Sequence, residues 1–282
     1  MNSRRIFVLA WVMAIAAAIG GCATSPYEGD GKTKSDAMLQ AQFQQAEQQR
    51  AGRTEGQIIF AGFAMNSKSK AFRNDVLAAE KFVKNIDPNA IVFKLDNPAW
   101  GQGMVWPYAT AENIVTTMGK VTALARPQDK VVILMSTHGN VDLLSINFDE
   151  KYYPHIDSKL MQRMLFGLRG KPTLLILSAC YSGSFVQPLA APNRIILTAS
   201  AKDRNSFGCN FHSDNTFFVR ALLNQPTDIK KTLVQMTSDA QKEVDRLEKA
   251  MKLSPPSLPQ VSVGPMVESW ANRPLADWLT VR

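Results

Sequence analysis

Val131-Val132-Ile133-Leu134-Met135-Ser136-Thr137-His138-Gly139-Asn140 opens on an unbroken apolar run and ends on a histidine and a glycine. An apolar run with no polar alternation reads as a strand covered on both faces of a sheet. A second stretch has the same arrangement: Leu174-Leu175-Ile176-Leu177-Ser178-Ala179-Cys180-Tyr181-Ser182-Gly183-Ser184. Each places one reactive side chain just past a buried strand, with a glycine close behind. If the two strands are neighbours in a parallel sheet, the imidazole and the thiol meet at its carboxyl edge, where such sheets carry their chemistry.

Working outward, residues 58–62, 90–95, 195–197 and 261–263 read as further strands. Between them, apolar residues recur at helical spacing. Phe72, Val76, Ala79, Val83 and Ile86 mark one helix; Ile114, Met118, Val121 and Ala125 a second; Leu160, Met164 and Leu168 a third. Residues 217–223 begin more helix, and a long one carries Ile229, Leu233, Met236, Ala240, Val244, Leu247 and Met251. Strands alternating with helices give an α/β fold: a mostly parallel sheet with helices on both faces. Tyr152-Tyr153-Pro154-His155 and the polar surroundings of His212 read as loops.

The chemistry follows from the pairing. A thiol of ordinary pKa is mostly protonated at neutral pH. A nearby imidazole takes its proton and later protonates a leaving amine. Attack on a carbonyl makes an oxyanion that needs backbone N–H donors, for which Gly139 is a candidate. Ser182 lacks the frame of a serine-hydrolase nucleophile elbow. Cys180 and Cys209 also admit a structural disulfide, which would remove the nucleophile.

The segments Thr137-His138-Gly139 and Ser178-Ala179-Cys180-Tyr181-Ser182-Gly183-Ser184 resemble the His-Gly and Ala-Cys-x-Ser-Gly-Ser motifs of the legumain (asparaginyl endopeptidase) family. Residues 197–209 resemble its Thr-Ala…Ser-Ser-Tyr-Ala-Cys segment, and Ala61-Gly62 with Phe72-Arg73-Asn74-Asp75-Val76 its Ala-Gly…Tyr-Arg-His-Gln-Ala-Asp-Val. The resemblance covers roughly residues 57–225. It implies a caspase-like three-layer sandwich and a cysteine endopeptidase, or a transamidase working through the same acyl-enzyme, acting on a peptide or protein substrate. His138 and Cys180 match the catalytic pair. Arg73 and Ser206 match residues of the pocket for the residue before the cut. Two family acids are missing: Ser178 stands two before the nucleophile, and the pocket aspartate falls on or near Arg220. With Arg73 and Arg220 facing it, that pocket is expected to be net positive and to favour aspartate over asparagine. The alternative has Arg220 in solvent and Arg73 paired with Asp75 or Asp203. A rival from another class is a non-catalytic peptide-binding scaffold.

Residues 1–21 read as a leader. Arg4 and Arg5 precede an uncharged stretch over residues 6–19, then Ile19-Gly20-Gly21-Cys22, which resembles a bacterial lipobox. That implies acylation of Cys22, a lipid anchor, and a place in the cell envelope, at the outer membrane facing the periplasm. Residues 22–56 read as a Gln/Ala-rich tether without a firm docking stripe, and residues 57–282 as the peptidase domain. The 282-residue chain carries +8, or +6 once Arg4 and Arg5 are removed. Its cations are dispersed, with no dense run and no aromatic interleaving, so no nucleic-acid partner is expected. No GxGxxG or Walker sequence appears, so a nucleotide fold of the usual kinds is not supported; no cofactor and no metal are expected.

Overall fold

A computed structural model of the chain describes residues 29–99, 101–149 and 151–279. The leader and Cys22 lie outside them. Six strands form one sheet in the order β2-β1-β3-β7-β8-β9, with β1 at Ile58–Ala64, β2 at Ile91–Asp96, β3 at Lys130–Ser136, β7 at Thr173–Ser178, β8 at Arg194–Thr198 and β9 at Gln260–Val263. All neighbours are parallel except the β8/β9 pair. Strands β3 and β7, which carry the two quoted stretches, are adjacent at its centre.

The sheet is buried on both faces, and the period of two shows in what each face touches. Ile59, Ala61, Phe63, Val131, Ile133, Met135, Leu175 and Leu177 pack with helices α1 (Gly29–Arg50), α3 (Ala111–Leu124) and α4 (Ser158–Leu165). Ile58, Phe60, Val132, Leu134, Leu174, Ile176, Ile195 and Leu197 pack on the other side with α2 (Ala71–Ile86), α6 (Phe217–Leu222) and α7 (Leu233–Ala250). The result is three layers. The short helix α5 (Val186–Leu189) follows the turn after Cys180.

Three elements differ from expectation. First, the segment 143–156 is not loop. Strands β4 (Gly139–Asn140), β5 (Leu143–Phe148) and β6 (Lys151–Ile156) form a small antiparallel sheet, and exposed His155 lies in β6. Second, Ile229 is outside α7, which starts at Leu233 with Thr232 as cap; Thr232 and Gln235 form a reciprocal capping box.

Third, the tether contains a docked helix. Along α1, Ser35, Leu39, Phe43, Ala46 and Arg50 are buried. Gln42 accepts from the Lys94 N–H at 2.9 Å and donates to the Lys94 carbonyl at 3.0 Å, closing the open edge of β2. Arg50 binds Asp129 through both terminal nitrogens, at 2.7 and 3.2 Å, and both side chains are buried. Docking thus relies on hydrogen bonds at least as much as on an apolar stripe.

Candidate functional site

Chain order reverses between β1 and β3, since β1 continues to the outer strand β2 while β3 leads to β7. Ligand crevices of open α/β sheets form at such a point, outside the carboxyl ends of the strands. Strands β3 and β7 end in register, Ser136 opposite Ser178. Thr137 N–H donates to the Ser178 carbonyl at 3.1 Å, carrying the ladder one step further. His138 and Cys180 therefore leave the sheet at the same level, each two residues past its strand.

Gly139 holds the two segments together. A Cβ there would lie 2.6 Å from the Cys180 carbonyl oxygen and 3.0 Å from that of Leu143, so only glycine fits. Its absent side chain serves the approach of two protein segments. Gly139 faces Leu144 across an antiparallel pair whose flanking bond runs from Ser145 N–H to the His138 carbonyl, 2.9 Å. That makes Gly139/Leu144 a non-hydrogen-bonded pair, in which the Gly139 N–H turns away from β5. It is thereby free of the small sheet and available as a donor beside Cys180.

The His138 imidazole is half-buried, and Phe72 meets it edge to face at 5.1 Å between ring centroids. Burial, and secondarily the charge of Lys68, lower its pKa below the usual histidine value. It is neutral at neutral pH and able to accept a proton.

The Cys180 thiol is half-buried and its sulfur is surrounded by donors. Ser206 N–H reaches it at 3.3 Å and Ser206 Oγ lies at 3.6 Å. A hydrogen bond from Cys209, then those from Ser206, pull Cys180 down to about 6 against the opposing effect of burial. The Cys209 thiol is pushed up by the same contact with Cys180 and by its own burial. Both thiols are free, with no disulfide between them. Neighbouring donors thus favour the thiolate, which lowers the cost of moving the thiol proton to His138.

The turn after Cys180 is tightly built. Tyr181 is left-handed at φ 56°, its N–H donates to the Arg204 carbonyl at 2.8 Å, and its carbonyl accepts from Ser184 N–H at 2.9 Å. A Cβ on Gly183 would meet Lys202 N at 2.5 Å. Ser182 is fully buried, its Oγ 3.4 Å from that of Ser200, so it presents no nucleophile.

Beneath the strand ends lies a group that the sequence offered only as a possible partner of Arg73. Asp75, on α2, is fully buried. Its Oδ2 accepts from the hydroxyls of Ser136 at 2.7 Å and Thr216 at 2.8 Å, with Ser178 at 3.4 Å. Its Oδ1 accepts from Asn215 Nδ2 at 3.0 Å and Thr216 N–H at 3.1 Å. One carboxylate thus joins the residue two before His138, the residue two before Cys180, and the loop that brings Ser206 and Cys209. Burial outweighs these bonds and raises its pKa to about 6. The signal available in sequence was an aspartate beside Val76 on the buried side of α2.

The remaining expected pocket residues are placed differently. Ser178 is buried and turned to Asp75 and Thr216, 2.9 Å from the Thr216 hydroxyl, and does not line an open pocket. Arg73 ion-pairs with buried Asp96 and donates to the Gly103 carbonyl at 3.1 Å; neither Asp75 nor Asp203 is its partner. Burial raises Asp96 to about 6 even against the pull of Arg73. Arg220 is exposed and lies in the electrostatic reach of Asp214 and Glu243. A net positive pocket built from Arg73 and Arg220 is therefore corrected: one cation is neutralised and the other faces acids and solvent.

A family model described as Peptidase C13 family matches residues 109–269, a span that takes in β3, the small sheet, β7 and the Ser206–Thr216 loop. Among solved structures, caspase-1 from Spodoptera frugiperda superposes with a TM-score of 0.52 at 14% identity, over 76% of this chain and 90% of that one. At that identity the likeness concerns the fold, which is a caspase-like α/β three-layer sandwich. No curated protein matches in a sequence search.

Proposed function

Because this chain belongs to the peptidase C13 family, we propose that it is a cysteine endopeptidase whose nucleophile is Cys180 and whose base is His138. What supports this reading is that a depressed thiol and an imidazole of lowered pKa each follow, by two residues, the register-matched ends of adjacent strands. The thiol proton passes to the imidazole and the sulfur attacks the scissile carbonyl. The Gly139 N–H, turned away from β5, stabilises the oxyanion. Collapse breaks the C–N bond, His138 protonates the leaving amine, and a thioester on Cys180 remains. Water attacks the thioester, giving its proton to His138, and frees the thiol. Ser206 clasps the sulfur and limits its rotation. The test is cleavage of a peptide library. Cys180→Ala should be inactive and His138→Ala should retain on the order of a hundredth of wild-type kcat or less, the usual weight of a general base; cleavage by Cys180→Ala at wild-type rate refutes the reading.

The domain is further proposed to sit in the bacterial envelope on a lipid carried by Cys22. The Arg4-Arg5 leader and Ile19-Gly20-Gly21-Cys22 support this. Among the described residues, no helix is long and apolar enough to cross a membrane.

A further inference from the structure

We propose that a cleft at the amino end of the sheet, between α4 and the α5–β8 connection, is a binding site for a phosphate-bearing polyanion. The cleft has a volume of about 720 Å³, within the range of small-molecule sites. Lys159, Arg163, Arg169 and Arg194 line it, and no carboxylate does among the described residues. It is separate from the thiol. Arg194 is the first residue of β8, whereas Cys180 follows the far end of the parallel neighbour β7, so about 15 to 20 Å of strand lies between them.

Arg194 makes this more than a patch of surface charge. It is 6% exposed, and among the described residues no acid pairs with it. Its Nη1 donates to the Leu189 carbonyl, while its Nε is buried without a partner. Isolated buried cations with orphaned donors are costly, and native structures rarely keep one without a reason. Burial, with the Arg169 charge beside it, lowers its pKa to about 10, so it stays cationic at neutral pH.

The geometry selects the chemistry. With Nη1 held by Leu189 and Nε enclosed, Nη2 is the end of the guanidinium fork left to meet an oxyanion. At the rim, the Arg169 guanidinium is held 4.2 Å over the Phe166 ring, so one further cation is positioned in advance. Lys159 and Arg163 are exposed on α4. One fork at depth and three cations at the rim suit a dianionic phosphate with a second anionic group, better than a lone carboxylate. Gln162 spans from α4 to the Pro188 carbonyl at 2.7 Å, closing one side. A ligand here would tie α4 to the segment that begins just past the nucleophile turn.

The phosphate has two sources, a soluble phosphate compound or an anionic lipid headgroup. The test is calorimetric titration of the full-length protein with inorganic pyrophosphate at 150 mM sodium chloride, on the order of physiological ionic strength. Saturable one-to-one binding is expected, weakened at least about tenfold in Arg163→Glu/Arg169→Glu, whose sites are exposed and tolerate charge reversal. Arg194→Lys, which keeps the charge and loses the fork, is expected to weaken it by a similar factor. Vesicles of phosphatidylglycerol that compete with pyrophosphate assign the headgroup as source; vesicles that do not compete assign a soluble compound. Absence of saturable binding overturns the proposal. So does equal affinity in the double variant, or in a folded Arg194→Lys, because the attraction is then diffuse.

Discussion

Replacing Asp75 by asparagine tests the buried link between the strand ends. Burial raises Asp75 from 3.8 to about 6. A carboxyl whose folded pKa lies above its unfolded value contributes stability that is complete below pH 3.8 and lost as pH rises through about 6. The two values place the full loss at about 3 kcal/mol, most of it between pH 4 and 8. Asparagine has the same shape and does not ionise. Its oxygen can keep Asn215 Nδ2 and Thr216 N–H, both obligate donors, at the Oδ1 position. Its NH₂ then faces Ser136, Ser178 and Thr216, whose hydroxyls can rotate to accept. Urea unfolding of wild type and Asp75→Asn at pH 4 and pH 8 should therefore show a variant with flatter pH dependence. It should gain about 2 kcal/mol on wild type between the two pH values. Asp75→Ala instead orphans two buried N–H donors, at roughly 1–3 kcal/mol each, and should loosen His138 and Cys180 enough to lower kcat. A variant that loses ground to wild type on going from pH 4 to pH 8 refutes the reasoning: the carboxylate would then be stabilised as an anion.

Three further outcomes follow from single contacts. Gly139→Ala drives a Cβ to within 2.6 Å of the Cys180 carbonyl; kcat should fall on the order of 100-fold, as for an ångström-scale misplacement, and an unchanged kcat would exclude this close approach. Arg50→Met leaves Asp129 buried without its cation and should cost about 3–5 kcal/mol in urea unfolding, whereas a loss below about 1 kcal/mol, the worth of a surface pair, would mean α1 is not docked. Cys22→Ser should abolish incorporation of radiolabelled palmitate and release the protein from the membrane fraction; an unlabelled wild type ends the lipid-anchor reading.

The central sheet was legible because its strands are continuous apolar runs, and His138 and Cys180 stand out at their ends. The small sheet was not. Strand β6 is mostly exposed and contains Pro154, so Tyr152 and His155 look like loop residues. The docking of α1 was hidden because two of its five buried positions, Ser35 and Arg50, are polar and dock by hydrogen bonding. Residue type also misled the reading of charges. Nothing in the sequence says that Arg73 meets Asp96 from the end of β2. A buried aspartate on an amphipathic helix looks like its solvated counterpart, and Asp75 shows its role only when β3, β7 and the Asn215–Thr216 loop converge on it. The start of α7 was readable and missed: the Thr232…Gln235 spacing outweighs the apolar Ile229.

The most direct measurement is the rate of Cys180 alkylation by iodoacetamide against pH, read by mass spectrometry of the peptide that carries Cys180, with peptide cleavage followed in parallel. The thiol is held at about 6 by Cys209 and Ser206, so the rate should be half-maximal near pH 6. Cleavage should fall in proportion to labelling, and Cys209→Ala, which removes the donor, should move the midpoint upward. A midpoint near 9, the value of an ordinary thiol, or full cleavage by the alkylated protein, would contradict Cys180 as the activated nucleophile.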